Sequence, residues 1–333
     1  MSWVGGGGKG EGKREKGEGN PGAVALALNV GAFLTFALLV PGFATGPNLE
    51  TVVISALPLF LLAVGQTFVL ISAGIDLSST AVVGLVSVVG GVVMSAEEGT
   101  QGGTLGTLTG LAAMLATGVA AGAVNGACVG WLRMPAFMVT LTLGMFAGGL
   151  AVWLARTVAA TETLYGLPSP FLQIGGDAGI ALALTAALGI AAHGLLSGTL
   201  FGRALQAVGY NARVALVSGV TVQRVILATY VLGGLFAAFA AVLLTGRLET
   251  ASPTHGRQLL LDVIGATVIG GTSLSGGRGR IGWTALGVLF LALVGNGLTL
   301  MNLSDFVITI VKGLVILAAA LLDAWRVRRR GRS

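Results

Sequence analysis

The chain has little of what a water-facing surface is made of. Only 10% of its 333 residues are charged, against about 25% in a soluble domain. Seven of those charges fall in the first twenty residues and six in the last eleven. The long middle is left with too few to dress a soluble surface, which excludes an ordinary cytosolic enzyme. Cysteine is limited to Cys128, so neither a disulfide framework nor a cysteine metal cluster is available. The two histidines, His193 and His255, lack ligand spacing, and no metal site is expected. There is no GxSxG nucleophile elbow. Residues 277–282 form a GxGxxG pattern, but no strand precedes it. Residues 265–272 have phosphate-loop spacing, but Gly271 stands where the lysine is needed, and the early GGGGKG has the wrong spacing. The chain is therefore expected to bind no ATP and no other cofactor.

Apolar residues and glycine fill the space that charge leaves. Apolar side chains make up 54% of the chain and glycine contributes 55 residues. Mean hydropathy is +0.91. These values predict an all-α polytopic membrane protein. Ten apolar runs qualify as spans, near 23–41, 51–72, 78–96, 103–131, 136–154, 178–197, 222–245, 260–273, 281–300 and 306–323. About 20 apolar residues are needed to cross a bilayer, so the 260–273 run is too short for one straight crossing. The 103–131 run is long and glycine-rich, which predicts tilting or kinking. Residues 1–22 alternate Gly, Lys and Glu and read as a disordered cytoplasmic tail, not a signal peptide. Residues 23–325 form the membrane domain, and 326–333 a basic cytoplasmic tail.

Ten crossings place fifteen of the nineteen basic residues on the side of the N-terminus. The other side receives Arg156, Arg247 and Arg257 together with most of the interhelical acidic residues. This bias puts both termini in the cytoplasm and explains a pI near 10 without nucleic acid.

Three stretches stand out. The first, GQTFVLISAGIDLS at 65–78, carries Asp76 between two spans. Asp76 reads either as a functional intramembrane carboxylate or as a cap accepting amides at the start of the next helix. The second, GGTSLSGGRG at 270–279, reads as a helix break on a translocation path or as a cytoplasmic loop with two arginines. The third is the 198–221 connection, too rich in helix formers for a simple loop. A short helix on either side of Gly209 is expected, either docking a cytoplasmic partner or resting on lipid. Lys312 is the only lysine outside the tail. It either snorkels to the interface or pairs with Asp262 or Asp305.

Together with LRMPAFMVTLTLG at 132–144, GRALQAVGYNARVALVSGV at 202–220 and VKGLVILAAALLD at 311–323, these stretches resemble the membrane permeases of bacterial ATP-binding-cassette sugar importers. The likeness is to the ribose/xylose type, related to branched-chain amino-acid permeases, and runs from about 45 to 323. It implies a type II importer fold of two five-helix halves in inverted orientation. It implies a second permease copy or paralogue, a periplasmic or extracellular sugar-binding protein, and a cytoplasmic ATPase that alone uses ATP. Gly202, Arg203, Ala207, Gly209, Asn211, Arg213, Ser218 and Gly219 would form the segment coupled to that ATPase. The similarity of residues 73–78 to 270–275 would mark the inverted repeat.

A neutral sugar calls for small polar groups along its path. Gln66, Thr67, Ser72, Asp76, Thr267, Thr272 and Asn296 are the candidates, each equally readable as an interhelical hydrogen-bonding residue. Two departures from the family pattern carry expectations. Ala73 stands where the family has glycine, predicting a less sharply bent backbone there. Arg213 and Leu216 stand where an acidic residue and an arginine are common, predicting a dedicated ATPase. The rival readings are a permease for a nucleoside, branched-chain amino acid or signalling furanose, an ion-coupled transporter, and a scaffold without transport. The ion-coupled reading lacks a carboxylate or histidine relay. The scaffold would have no need of the glycine-rich breaks.

Overall fold

A computed structural model describes residues 21–96, 103–159 and 161–330. Most of the expected N-terminal tail, and residues 331–333, lie outside the described residues. Within them the chain forms helices α1 (Pro21–Leu39), α2 (Gly46–Ile71), α3 (Ser79–Ala96), α4 (Thr104–Gly130), α5 (Ala136–Val158), α6 (Ser169–Gly176), α7 (Ala178–Gly198), α8 (Leu200–Tyr210), α9 (Ala212–Val217), α10 (Val222–Leu248), α11 (Leu260–Ile269), α12 (Ile281–Leu300) and α13 (Asp305–Arg330). Each of the ten apolar runs has become a helix. α1 already begins at Pro21, and α13 carries the basic end of the chain as far as Arg330. Among the described residues, α1, α2, α4, α5, α7, α10 and α12 are long and apolar enough to cross a membrane. α11, with ten residues, rises only about 15 Å, half a hydrocarbon core. No sheet forms among the described residues; a single bridge pairs Leu164 with Ala251.

α2 is the central post. Of its most apolar stretch 72% is buried, against 22% for the peripheral α1 and α5. Its full apolar circumference suits that position, because each face meets another helix. α4 is one unbroken helix from Thr104 to Gly130, so its glycines do not interrupt it. Its glycines serve packing instead. Gly118, Gly122, Gly126 and Gly130 recur every fourth residue and face the backbone of α10 at Gly234, Tyr230, Leu227 and Gln223. A side chain on Gly122 would strike the Tyr230 carbonyl and come within 2.9 Å of the Val231 Cα. Such small-residue stripes let helices attract through backbone contact where no hydrophobic effect is available.

Polar staples cross the apolar interior. Thr67 and Thr284 hydroxyls bond at 2.8 Å between α2 and α12. Ser87 and Thr245 do so at 2.7 Å between α3 and α10. Asn29 of α1 donates to the Leu286 carbonyl of α12 at 2.9 Å. Each such bond stabilises by roughly 0.6 kcal/mol in a membrane. Ser87 also meets His255 Nδ1 at 3.2 Å, which pins the loop after α10 against α3.

Several helices stop in the same way. At the end of α2, Gly74 N donates to Val69 O at 3.1 Å and Ala73 N to Leu70 O at 2.9 Å. At the end of α11, Thr272 N donates to Thr267 O at 3.0 Å and Gly271 N to Val268 O at 2.8 Å. α9 and α12 repeat the pattern around Gly219 and Asn302. This is the Schellman stop, which needs a residue in the left-handed region just past the helix. Gly271 (φ 86°), Gly219 (φ 88°) and Asn302 (φ 55°) suit it, whereas Ala73 adopts φ 61° with a Cβ in the way. The expectation of a gentler bend at Ala73 is therefore overturned: the six-residue hydrogen-bond pattern holds the full turn, and alanine bears the strain.

The two breaks also correct the repeat argument. Gly277 N donates to Ile71 O at 2.8 Å, so both lie at one end of the bundle. An inverted repeat would set equivalent elements at opposite ends, so the likeness of 73–78 to 270–275 reflects a shared helix stop and not inversion.

Two outcomes follow. Ala73→Gly should raise stability in detergent by about 1 kcal/mol, the cost of a left-handed alanine, or roughly 2 °C in thermal midpoint. Gly122→Ala should lower the midpoint by several degrees, while Gly148→Ala, with nothing within 4 Å of the added Cβ, should not. A thermal-shift series on the three purified variants checks both.

Candidate functional site

The two breaks create a junction into which a third element fits. The Schellman stop satisfies the carbonyls of Val69 and Leu70 but leaves Ile71 O free to accept from Gly277 N. α8 lies across this bond. A Cβ on Gly209 would strike Ile71 O and sit 2.5 Å from Gly277 N. Beside it, Gly277 lies against the Tyr210 ring. The stretches 65–78, 202–220 and 270–279, distant in sequence, thus meet at backbone contact.

α8 and α9 are built to hold this position. Thr199 Oγ1 accepts from Gly202 N at 3.3 Å and starts α8, and Gly202 fits tightly against the Leu196 carbonyl of α7. The break between the two short helices falls at Asn211, not at Gly209 as expected. Asn211 Oδ1 accepts from Arg213 N at 3.0 Å and Val214 N at 3.1 Å, a side-chain cap of the kind asparagine favours. Ser218 and Gly219 end α9. Leu205, Val208 and Ala215 are buried beneath, while Arg203, Tyr210, Arg213 and Val217 are exposed. Ala207 is half-buried and helps line a groove of about 440 Å³ between α8 and the start of α10, rimmed by Arg203 and Arg224. Arg133, Arg203, Arg213, Arg224, Arg278 and Arg280 all belong to this end of the bundle, because α4 ends beside Gln223 at the start of α10. Gly22 abuts Trp283 there, so the start of α1 is at the same end.

Asp76 is buried, 4% exposed. Its Oδ1 accepts from Ser78 N at 2.8 Å and from Ser78 Oγ at 2.6 Å. The capping reading is thus realised as a short turn leading into α3. Asn125 of α4 donates to Ser78 Oγ at 2.8 Å, and Thr140 of α5 and Tyr230 of α10 reach Ile75 O at 3.3 and 3.4 Å. Three helices therefore clamp the segment between α2 and α3. Sequence reasoning missed Asn125 and Tyr230. The signal was there, a lone amide and a lone phenol in apolar runs.

The remaining candidates divide. Gln66, Thr67, Thr267 and Thr272 are buried in the bundle. Ser72 is half-buried and its hydroxyl donates to Val69 O at 2.7 Å. Asn296 exchanges two amide hydrogen bonds of 3.0 Å with Asn48 and lines a cavity of about 410 Å³ between α2, α11, α12 and α13. Lys312 faces the same cavity and bonds Asp262 Oδ2 at 2.6 Å. The pairing reading of Lys312 is the one realised, with Asp262 as its partner. Among the described residues no three His, Cys, Asp or Glu side chains gather as a metal would require.

Comparison with known proteins gives this geometry its context. Residues 48–320 match the family described as the permease component of branched-chain amino acid transport systems. The ribose import permease of Bacillus subtilis (strain 168) is 41% identical over 270 residues, covering 79% of this chain and 80% of that protein. The ribose import permease of Escherichia coli (strain K12) is 34% identical over 293 residues, covering 86% and 88%. The L-arabinose transport system permease of the same strain is 33% identical over 305 residues, covering 88% of each. No solved structure matches the chain. The junction of helix breaks and short surface helices thus belongs to a multi-pass membrane subunit, and the chain is a member of this transport permease family.

Proposed function

We propose that the chain is the permease of an ATP-driven importer that carries a monosaccharide, of which ribose and L-arabinose are the first to test, across the cytoplasmic membrane. The observation that carries this reading is the seat of α8. Its Gly209 backbone rests on Ile71 O and Gly277 N, so a push on α8–α9 reaches the end of α2 and the connection between α11 and α12 with no soft side chain between. A separate ATPase docking on the exposed face of 202–220 would use that contact to switch the bundle between outward- and inward-open states. Ten spans, with α11 as a half-span, and both termini in the cytoplasm complete the reading. A binding protein on the far side delivers the sugar, and a second permease, identical or related, closes the path. Arg213 and Leu216 mark the surface where a dedicated ATPase would dock. The bundle interior holds few charges, which suits a neutral cargo. The family description names branched-chain amino acids, so leucine is the comparison substrate.

Uptake by cells carrying the chain with its own ATPase and binding protein tests this. Ribose or L-arabinose should accumulate and leucine should not. Uptake should survive a protonophore and stop when the ATPase is omitted or exchanged for an unrelated sugar-importer ATPase. Gly209→Ala should cut uptake at least tenfold at normal membrane levels, because its Cβ meets backbone on both sides. Full uptake by that variant would remove α8 from the coupling route.

A further inference from the structure

The cavity beside Lys312 has features that helix packing does not require. Its volume of about 410 Å³ falls in the range of small-molecule sites, roughly 300–1,000 Å³. Its floor is apolar, from Leu59, Leu291 and Ile316, and its polar side carries Asn296, Asp262 and Lys312. Asp262 is 7% exposed, yet it is paired with a lysine within a membrane bundle. Such a pair loses much of its attraction to desolvation, and an apolar pair of similar volume packs as well or better. Ionisable residues kept in this setting therefore point to a ligand or a pathway.

The chemistry of the pair selects that ligand. The bond to Lys312 uses only Oδ2 of Asp262, which leaves Oδ1 as an acceptor, while the ammonium keeps two further N–H donors. A donor and an acceptor held side by side, with no net charge between them, match adjacent hydroxyl groups of a neutral polyol. Asp305, exposed at the cavity edge, adds one negative charge and disfavours anions. The apolar floor offers a surface for the C–H face of a sugar ring. Ser55 lies sixteen residues along α2 from Ile71, about 24 Å at 1.5 Å per residue. Asp262, seven residues before the end of α11, lies deeper, so the cavity occupies the half of the bundle away from the α8 junction, the half from which an importer would receive its cargo.

We infer that this cavity is a sugar-binding site of the permease itself, with the Asp262–Lys312 pair as its recognition element. The inference rests on the importer reading for the identity of the ligand. In a Cys128→Ser background, Ser55→Cys places one thiol on the cavity wall. Its reaction with a hydrophilic maleimide is then timed in membranes, with and without millimolar ribose or L-arabinose. Either sugar should slow labelling at least threefold, and sodium glutamate should not. The double variant Asp262→Leu/Lys312→Met removes both charges together and so leaves no unpaired one. It should label at the parent rate and lose the protection. Three results would overturn the site: a thiol that never reacts, labelling that no sugar slows, or protection that persists in the double variant. Uptake by the parent chain is measured in parallel. Protection without uptake sinks the importer reading and leaves the site; uptake without protection does the reverse.

Discussion

A helix that stops inside or at the edge of a membrane must satisfy its last carbonyls without water, and the structure of this chain depends on that constraint. α2 and α11 both meet it with a Schellman stop, and Ile71 O, left over at the end of α2, is met by Gly277 N. That hydrogen bond joins two breaks from distant parts of the chain. It also sets the surface on which α8 rests. Without it, the end of α2 would hold an unpaired carbonyl and α8 would lose one side of its seat.

Glycine does two separate jobs around this point. At Gly271 and Gly219 it supplies a left-handed backbone. At Gly209 and along α4 it supplies absence, letting backbone touch backbone. A high glycine count allows both close helix approach and helix breaks. α4 shows the first, an unbroken helix whose Gly118, Gly122, Gly126 and Gly130 admit α10. The rigid α4–α10 pair then holds Asn125 and Tyr230 against the segment that carries Asp76.

The two ends of the bundle are chemically distinct. One gathers six arginines, the exposed short helices and the paired breaks. The other half holds the polar cavity with its part-buried ion pair. This separation is what the proposed importer reading calls for, with force entering at one face and cargo at the other. Long stiff helices such as α2, which touches both regions, connect them.

Much was legible in the sequence because membrane helices announce themselves by hydropathy alone. The ten apolar runs and the short α11 follow from the cost of placing polar backbone in hydrocarbon, and the helical character of 198–221 from its helix formers. The permease family was legible too, in five short stretches in order. What pairs with what was not. Lys312 had two carboxylates within reach, and only the packing of α11 against α13 chose Asp262. The break at Asn211 depended on a side-chain cap that competed with the more obvious glycine two residues earlier. The likeness of 73–78 to 270–275 misled because a helix stop has a sequence signature of its own, whatever the symmetry. Ala73 shows the same limit: its departure from the family's glycine argued for a softer bend, but the hydrogen bonds of the helix stop imposed a sharp one. Hydropathy and glycine spacing act locally and can be read along the chain. Partners for buried carbonyls, amides and charges come from elsewhere in the chain, so only the folded bundle decides them.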